Sequence, residues 1–228
     1  MSRDRVLVWD GCVNVRDLGG LPLEGGGETQ FDVIVRADSL AGLTERGWQA
    51  LEQYGVCGAI DLRGEHELQR TPVREMPVTR IPITPFSGPG WDWPSMLKAY
   101  LAVLEEFRPQ FTQVIDALAG ADPPALVHCQ GGRDRTGLAV ALILDAAGVA
   151  RETIAADHAL SDESWAPFNA VWIEEAADPA DAAKRRRITQ PAGRTMVEVL
   201  EEVDRRFGGA AEYLATPSLD TIVLRLRG

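Results

Sequence analysis

The segment ALVHCQGGRDRTG, residues 125–137, constrains the fold of this chain more than any other part of its sequence. A short apolar run that is typical of a buried strand ends at His128, and a turn with two glycines follows. Thr136 then opens an apolar stretch that predicts a helix to Ala147, closed by Gly148. The backbone amides of the turn and the positive end of the helix dipole meet at one point, where an anion binds well. The sequence therefore predicts an anion-binding loop between a strand and a helix.

Cys129 and Arg135 stand at the two ends of this loop. We expect the loop to wrap a tetrahedral oxyanion, with the thiol beneath it and the planar guanidinium group binding two of its oxygens. A helix N-terminus and a nearby arginine favour the thiolate, so Cys129 is predicted to be a nucleophile. Phosphoryl transfer from a monoester through a cysteinyl-phosphate uses both groups, and it needs no metal and no cofactor. The residues predicted to contact the substrate are Gln130, Gly131, Gly132, Arg133 and Thr136, of which Thr136 also donates to the departing sulfur.

The remaining sequence predicts an α/β fold. Strands are predicted in a hairpin over residues 14–37 and at 56–62, 80–83 and 125–128, and helices at 44–54, 95–118 (broken near Pro109), 136–147, 151–160 and 194–207. This alternation predicts a central, mostly parallel sheet with helices on both faces and right-handed crossovers, followed by a helical C-terminal region. No repeat or linker divides the chain, so we expect a single domain over residues 1–228, with 161–193 as a candidate helical lid.

The charge balance limits the partners that we expect. Lys and Arg number 23 against 34 Asp and Glu, which gives a net charge of −11. Nucleic acids and anionic membranes select basic proteins, so neither is an expected partner, and no apolar run approaches the roughly 20 residues of a membrane span. A phosphorylated protein or a small phosphate ester is the expected substrate, and phosphate or sulfate is expected to occupy the loop as well. The absence of an apolar leader and three widely spaced cysteines favour a cytoplasmic location, with export by another route left open.

The loop HCQGGRDRTG resembles the H-C-x5-R signature of the cysteine-dependent protein tyrosine phosphatases, and more narrowly a bacterial subgroup that has H-C-x-x-G-K-D-R-T-G. The segments NVRDLGG (14–20) and IDLR (60–63) are similar to two further segments of that subgroup, and the order of segments agrees over most of the chain. The resemblance implies a protein tyrosine phosphatase-like fold and a phosphotyrosine substrate, extended to phosphoserine, phosphothreonine or phosphoinositides. Arg133 stands where the subgroup has lysine, and Val15 where it has an aromatic residue. Together with Arg135, Arg133 would suit a second phosphate.

The general acid stays open at this point. A carboxylic acid within hydrogen-bond reach has to protonate the leaving oxygen. Asp134 is the first candidate, because the subgroup carries an aspartate there. Asp92 is the second: it lies in the segment TPFSGPGWDWP (84–94), between Trp91 and Trp93, which we expect to shield its protonated form.

Other polar residues are interpreted as support. Asp61 and Arg63 are expected to pair locally or to brace the loop, His128 to shape it, and Asn14, Arg16 and Asp17 to hold a turn. His128 and Cys129 do not form a zinc site on this interpretation, since no second pair of ligands has the required spacing.

Alternatives remain for the helical region and for the function. Trp165, Phe168 and Trp172 recur at helical spacing and predict one buried helix face, or else a flap over the site. The basic run 184–187 predicts either a solvated face or a surface that recruits a phosphorylated substrate. A rhodanese-like sulfurtransferase and a non-catalytic phosphate-binding module are the two alternative functions. The five-residue spacing from Cys129 to Arg135, followed by Thr136 and Gly137, favours the phosphatase over the sulfurtransferase. The presence of both Cys129 and Arg135 favours it over the non-catalytic module.

Overall fold

The computed structural model describes residues 3–68, 76–84 and 95–228. The strands in these ranges are β1 (Arg16–Asp17), β2 (Ile34–Ala37), β3 (Gly58–Asp61), β4 (Val78–Arg80) and β5 (Ala125–His128). The helices are α1 (Glu45–Tyr54), α2 (Met96–Glu106), α3 (Arg108–Gly120), α4 (Asp134–Ala146), α5 (Arg151–Glu174), α6 (Pro179–Ile188), α7 (Thr195–Phe207), α8 (Ala210–Leu214) and α9 (Ser218–Arg227), with short 3₁₀ helices at Leu40–Gly42 and Glu65–Glu67. None of the helices in these ranges is both long and apolar enough to cross a membrane.

The strands form one mixed sheet in the order β1-β2-β5-β3-β4. Only β1 runs antiparallel to its neighbour, and the other pairs are parallel. The register places Ala37, His128 and Asp61, the last residues of β2, β5 and β3, side by side. Because the carboxyl ends of parallel strands meet at one edge, the segments that follow these three strands converge on the loop after β5. The α/β class and the mostly parallel sheet predicted from the sequence are confirmed.

Apolar cores lie on both faces of the sheet, which explains the short continuous apolar runs of β2 and β5. The smaller core contains α1 and the alternate strand residues Val35, Ala37, Ala59 and Leu126. The larger core contains α2–α4 and α7–α9 and the intervening strand residues Ile34, Ile60, Ala125 and Val127. Helices therefore cover both faces, as predicted, with the larger share beside α4.

Local signals placed several helix ends correctly. The Thr44 side chain accepts a hydrogen bond from the Gly47 amide at 3.3 Å, and Gly55 ends α1 with a φ of 94°. The predicted break near Pro109 is also found, because α2 ends at Glu106 and Pro109 lies in the first turn of α3. An N-cap residue, a glycine in the left-handed conformation and a helix-breaking proline each depend only on residues near the helix end. The sequence alone therefore predicts them.

Two predicted elements differ from the structure. The strand predicted at 80–83 is found earlier, at Val78–Arg80. Beyond it, the Ile81 amide donates to the carbonyl oxygen of Asp61, the last residue of β3, and the Ile83 amide donates to that of Leu62. The predicted buried face on α5 is wrong: Phe168 is 52% exposed and Trp172 is 39% exposed. The buried positions of α5 end with Ser161, because only its first half packs against the sheet-covering helices α4 and α7.

Candidate active site

The loop between β5 and α4, residues 129–133, has its carbonyl groups bound by the surrounding framework. The donors are the Ser39 amide to Gln130 O (3.0 Å), the Asn14 and Trp165 side chains to Gly131 O (2.9 and 2.8 Å), and the Arg36 side chain to Gly132 O (2.8 Å). Within the part of the chain that the structure describes, the amides of residues 130–133 donate to no carbonyl and no side chain. With its acceptors bound and its donors unpaired, the loop can bind an anion through its amides.

Gly132 lets this loop pack directly against the sheet. Its φ of +63° lies in the left-handed region, and a Cβ at this position would meet the Ala37 carbonyl oxygen at 2.4 Å. A larger residue would therefore push the loop away from the carboxyl end of β2.

Cys129 and Arg135 lie together at the base of the loop. The cysteine is only 2% exposed, and its thiol is close enough to the guanidinium groups of Arg135 and Arg36 to affect their protonation. Burial alone would lower the pKa of Arg135, but its hydrogen bonds to Glu67 and the nearby thiol raise that pKa above its ordinary value. A permanent cation is thus held beside the sulfur.

Glu67 is a site residue that the sequence reasoning missed. Its two carboxylate oxygens accept from both terminal nitrogens of Arg135 at 2.6 Å, and burial of this pair is partial. Burial would raise the pKa of Glu67, but the hydrogen bonds from Arg135 outweigh it and lower that pKa. Since Glu65, His66 and Glu67 are three polar residues in a row, the sequence predicts only a polar, helical stretch there.

Asp134 begins α4, and its side chain lies partly exposed at the loop. The Tyr100 hydroxyl donates to Asp134 Oδ1 at 2.6 Å, and Nη1 of Arg133 lies 3.7 Å from the same oxygen. The other predicted acid, Asp92, falls outside the described residues, so the choice between the two stays a prediction.

The remaining loop residues differ in their surroundings. The guanidinium group of Arg133 binds Asp162 (2.7 Å) and the carbonyl oxygens of Ile188 and Gln190, all in the helical region. The Thr136 hydroxyl is buried and has no hydrogen-bond partner among the residues described. Gln130 is exposed. Contact of these residues with a substrate stays a prediction, and the unpaired Thr136 hydroxyl is available for it.

The predicted support residues lie directly beside the loop. Arg63 donates to Asp61 and to the Ser39 hydroxyl, each at 2.7 Å. His128 places Nε2 3.8 Å from Asp61 and Nδ1 3.2 Å from the Cys129 carbonyl oxygen. Burial lowers the pKa of His128, so the ring is neutral near pH 7 and shapes the loop without carrying charge.

A buried ionic network lies behind the loop, and the sequence reasoning did not find it. Asp157 of α5 binds Arg5 at 2.5 Å, Arg16 at 3.0 Å and Arg36 at 2.7 Å. Burial would raise the pKa of Asp157, but the arginines, led by Arg16 and Arg36, hold it far below its usual range. Arg16 also donates to Asn14 at 2.6 Å, so the network reaches the loop carbonyls through both Asn14 and Arg36. Asn14 and Arg16 thus do more than the predicted holding of a turn.

Comparison with known proteins agrees with this geometry. The model of a tyrosine phosphatase family matches residues 7–222. The chain belongs to this family. It is 30% identical to a tyrosine-protein phosphatase of Nostoc commune over 205 residues, 80% of this chain and 68% of that protein. It is also 49% identical over 47 residues, 21% of this chain and 17% of the relative, to the triple specificity protein phosphatase PtpB of Mycobacterium tuberculosis.

Membership in the tyrosine phosphatase family confirms the family predicted from the loop sequence and the predicted enzyme class, a phosphatase that acts on phosphate esters. Among the residues that the structure describes, no group of three or more His, Cys, Asp and Glu side chains could hold a metal ion.

Proposed function

We propose that this chain hydrolyses phosphotyrosine in proteins through a cysteinyl-phosphate intermediate. The observation that carries the proposal is the loop itself, in which carbonyl groups are bound from outside, amides are unpaired, and Cys129 lies beside the Arg135 guanidinium group. The amides and Arg135 would bind the three equatorial oxygens of the phosphoryl group and stabilise their charge in the transition state.

The reaction proceeds in two steps on this proposal. The Cys129 thiolate attacks phosphorus, the bond to the leaving oxygen breaks, and Asp134 gives that oxygen its proton. Water then attacks the cysteinyl-phosphate and returns a proton to the Asp134 carboxylate, while the Thr136 hydroxyl donates to the departing sulfur. Asp134 is preferred over Asp92 because its side chain is partly exposed at the start of α4, directly after the loop.

The substrate range includes phosphoserine, phosphothreonine and phosphoinositides. The mycobacterial relative is named a triple specificity protein phosphatase, which supports a substrate range wider than phosphotyrosine. The Arg133 guanidinium group already has three partners in the helical region, so it offers little support for a second phosphate site. The proposed location is cytoplasmic, as predicted from the sequence.

Replacement of the nucleophile tests the function. In Cys129→Ser we expect hydrolysis of a phosphotyrosine peptide to fall more than about a thousandfold, while inorganic phosphate still binds the loop. Cys57→Ser is the matched control, because Cys57 is an exposed thiol and its loss leaves turnover unchanged. Full turnover in Cys129→Ser would contradict the proposal. Release of thiocyanate from thiosulfate and cyanide by the wild-type enzyme would instead support the sulfurtransferase.

A further inference from the structure

Two buried side chains that the proposed chemistry does not use lie behind Asp134. Tyr100 of α2 is fully buried, and its hydroxyl donates to Asp134 at 2.6 Å. His158 of α5 is 1% exposed, and its Nε2 lies 3.4 Å from the same hydroxyl oxygen. The three side chains form a row that runs from the interior of the helical layer to the loop.

The surroundings of His158 fix the hydrogens along this row. Its Nδ1 is buried and has no hydrogen-bond partner in the described ranges. A buried N–H group without a partner is rarer than a buried lone pair without one, so the hydrogen belongs on Nε2. Nε2–H then donates to the Tyr100 oxygen, and the hydrogen of Tyr100 goes to Asp134.

His158 keeps this arrangement over the range in which the enzyme is expected to work. Burial lowers its pKa well below the ordinary value, the positive charges of Arg36, Arg133 and Arg16 lower it further, and Asp157 acts in the opposite direction. The ring therefore stays neutral and acts as a fixed donor. Donor chains of this kind polarise one another, which strengthens the last hydrogen bond in the row.

We propose that Tyr100, oriented by His158, is a positioning residue that stabilises the carboxylate form of Asp134. The inference rests on the proposed function, in which Asp134 is the general acid. In the first step the S–P bond forms, the bond from phosphorus to the leaving oxygen breaks, and the proton of Asp134 moves to that oxygen. The new carboxylate accepts the Tyr100 hydrogen bond until it takes a proton from the attacking water. Tyr100 and His158 neither gain nor lose a proton.

Removal of the hydroxyl alone tests the role of Tyr100. In Tyr100→Phe the carboxylate of Asp134 loses a donor, so Asp134 holds its proton to higher pH. We expect the alkaline limb of kcat/KM to move upward by about one pH unit. The other charged groups that face the row, Arg133, Asp162, Arg36, Arg16 and Asp157, stay in place in this variant.

Tyr213→Phe is the matched control. Tyr213 is also fully buried, and its hydroxyl donates to the Leu104 carbonyl oxygen at 2.7 Å. We expect Tyr213→Phe to lower stability about as much as Tyr100→Phe does, and to leave the alkaline limb of kcat/KM at its wild-type pH. An alkaline limb that stays in place in Tyr100→Phe overturns the inference, whatever happens to its melting temperature.

Failure of the inference and failure of the proposed function are distinguishable. Asp134→Asn should abolish the alkaline limb of the kcat/KM profile. If the limb persists, the general acid is another residue, and both that assignment and the inference are overturned. The thiol chemistry is tested separately by Cys129→Ser.

A measurement on the unmodified enzyme covers the case in which Tyr100→Phe does not fold. In ¹⁵N spectra of the three histidines, assigned with His158→Gln, we expect His158 to be neutral at pH 6 with its hydrogen on Nε2. The opposite tautomer, or a protonated ring, would overturn the inference.

Discussion

The plane of the Arg135 guanidinium group is fixed before any substrate arrives. Glu67 accepts from both terminal nitrogens at 2.6 Å, and the Ile83 carbonyl oxygen accepts from one of them at 3.2 Å. Such a bidentate pair is stronger and more directional than a single ion pair. A phosphate that enters the loop therefore meets an oriented fork, which lowers the entropic cost of reaching the transition state.

Glu67→Gln removes this orientation. An amide has one acceptor oxygen, so only one of the two hydrogen bonds survives and the guanidinium group can turn. We expect kcat/KM for para-nitrophenyl phosphate to fall about tenfold to a hundredfold. Glu65→Gln is the control, since Glu65 is an exposed residue of the same turn and its loss should leave kcat/KM unchanged. Equal activity in the two variants would contradict a role for Glu67.

The candidate site can be predicted from the sequence only where its residues are close together in the chain. Cys129 precedes Arg135 by six positions, in the loop and in the first turn of α4, so their spacing shows their relation directly. Glu67 lies 68 positions from Arg135, and nothing local distinguishes it from a solvated glutamate. A contact between residues that are distant in the chain cannot be identified from a single sequence unless the residues next to one of them are unusual.

At the scale of elements, the Asp157 carboxylate joins α5 to the sheet because it forms ion pairs with three arginines. Arg16 comes from β1, Arg36 from β2 and Arg5 from the segment before β1, and all three bind Asp157. Because Arg36 and Asn14 also bind the loop carbonyls, the position of α5 and the shape of the loop are coupled. A buried charge with several partners is costly to disturb, since each partner would be left unpaired.

Asp157→Asn measures this coupling. We expect the free energy of unfolding at pH 7 to fall by about 3–5 kcal/mol, because buried guanidinium groups lose their counter-charge. The pKa of Asp157 is far below its usual range in the folded protein, so its contribution is complete above about pH 4 and declines as the pH falls further. Denaturant titrations at pH 7 and pH 3 should therefore show a smaller difference between wild type and variant at pH 3.

Asp122→Asn provides the control for that series, because Asp122 is exposed and its replacement should change stability little at either pH. A loss in Asp157→Asn no larger than in this control would contradict the network's role.

The elements themselves were predicted well where the signals are local and less well where packing decides. The cap at Thr44 and the break near Pro109 are local and were correct. Arg36 in the buried run FDVIVRA does signal a buried ion pair, but its partner lies 121 positions away and could not be identified. Pro167 argues against a continuous helix, yet α5 continues through it, and the structure gives no local sequence reason for this.

At the scale of the whole molecule, the helical region 161–193 is bound to the loop at several points. Asp162 accepts from Arg133 at 2.7 Å with one oxygen and from the Ala192 amide at 2.9 Å with the other. The Trp165 indole donates to the Gly131 carbonyl oxygen at 2.8 Å. This region is therefore held to the anion loop directly, and a role as a mobile lid stays a prediction.

Asp162→Ala tests how far the region depends on these bonds. We expect faster amide hydrogen exchange across 161–193, while exchange in β2 and β5 stays as in wild type, because opening there is local. Glu163→Ala is the control, since Glu163 is exposed on the same helix turn. Unchanged exchange in Asp162→Ala would show that other contacts hold the region.

The arginines that bind Asp157 also affect when the site can form during synthesis of the protein. On the ribosome, Asn14, Arg16, Arg36 and Cys129 are all synthesised before Asp157. A nascent polypeptide halted at that stage would contain the Cys129 sulfur but would lack the Asp157 carboxylate, which binds the arginines around the loop. We therefore expect activity to arise late in biosynthesis, once α5 has emerged and folded back onto the N-terminal strands.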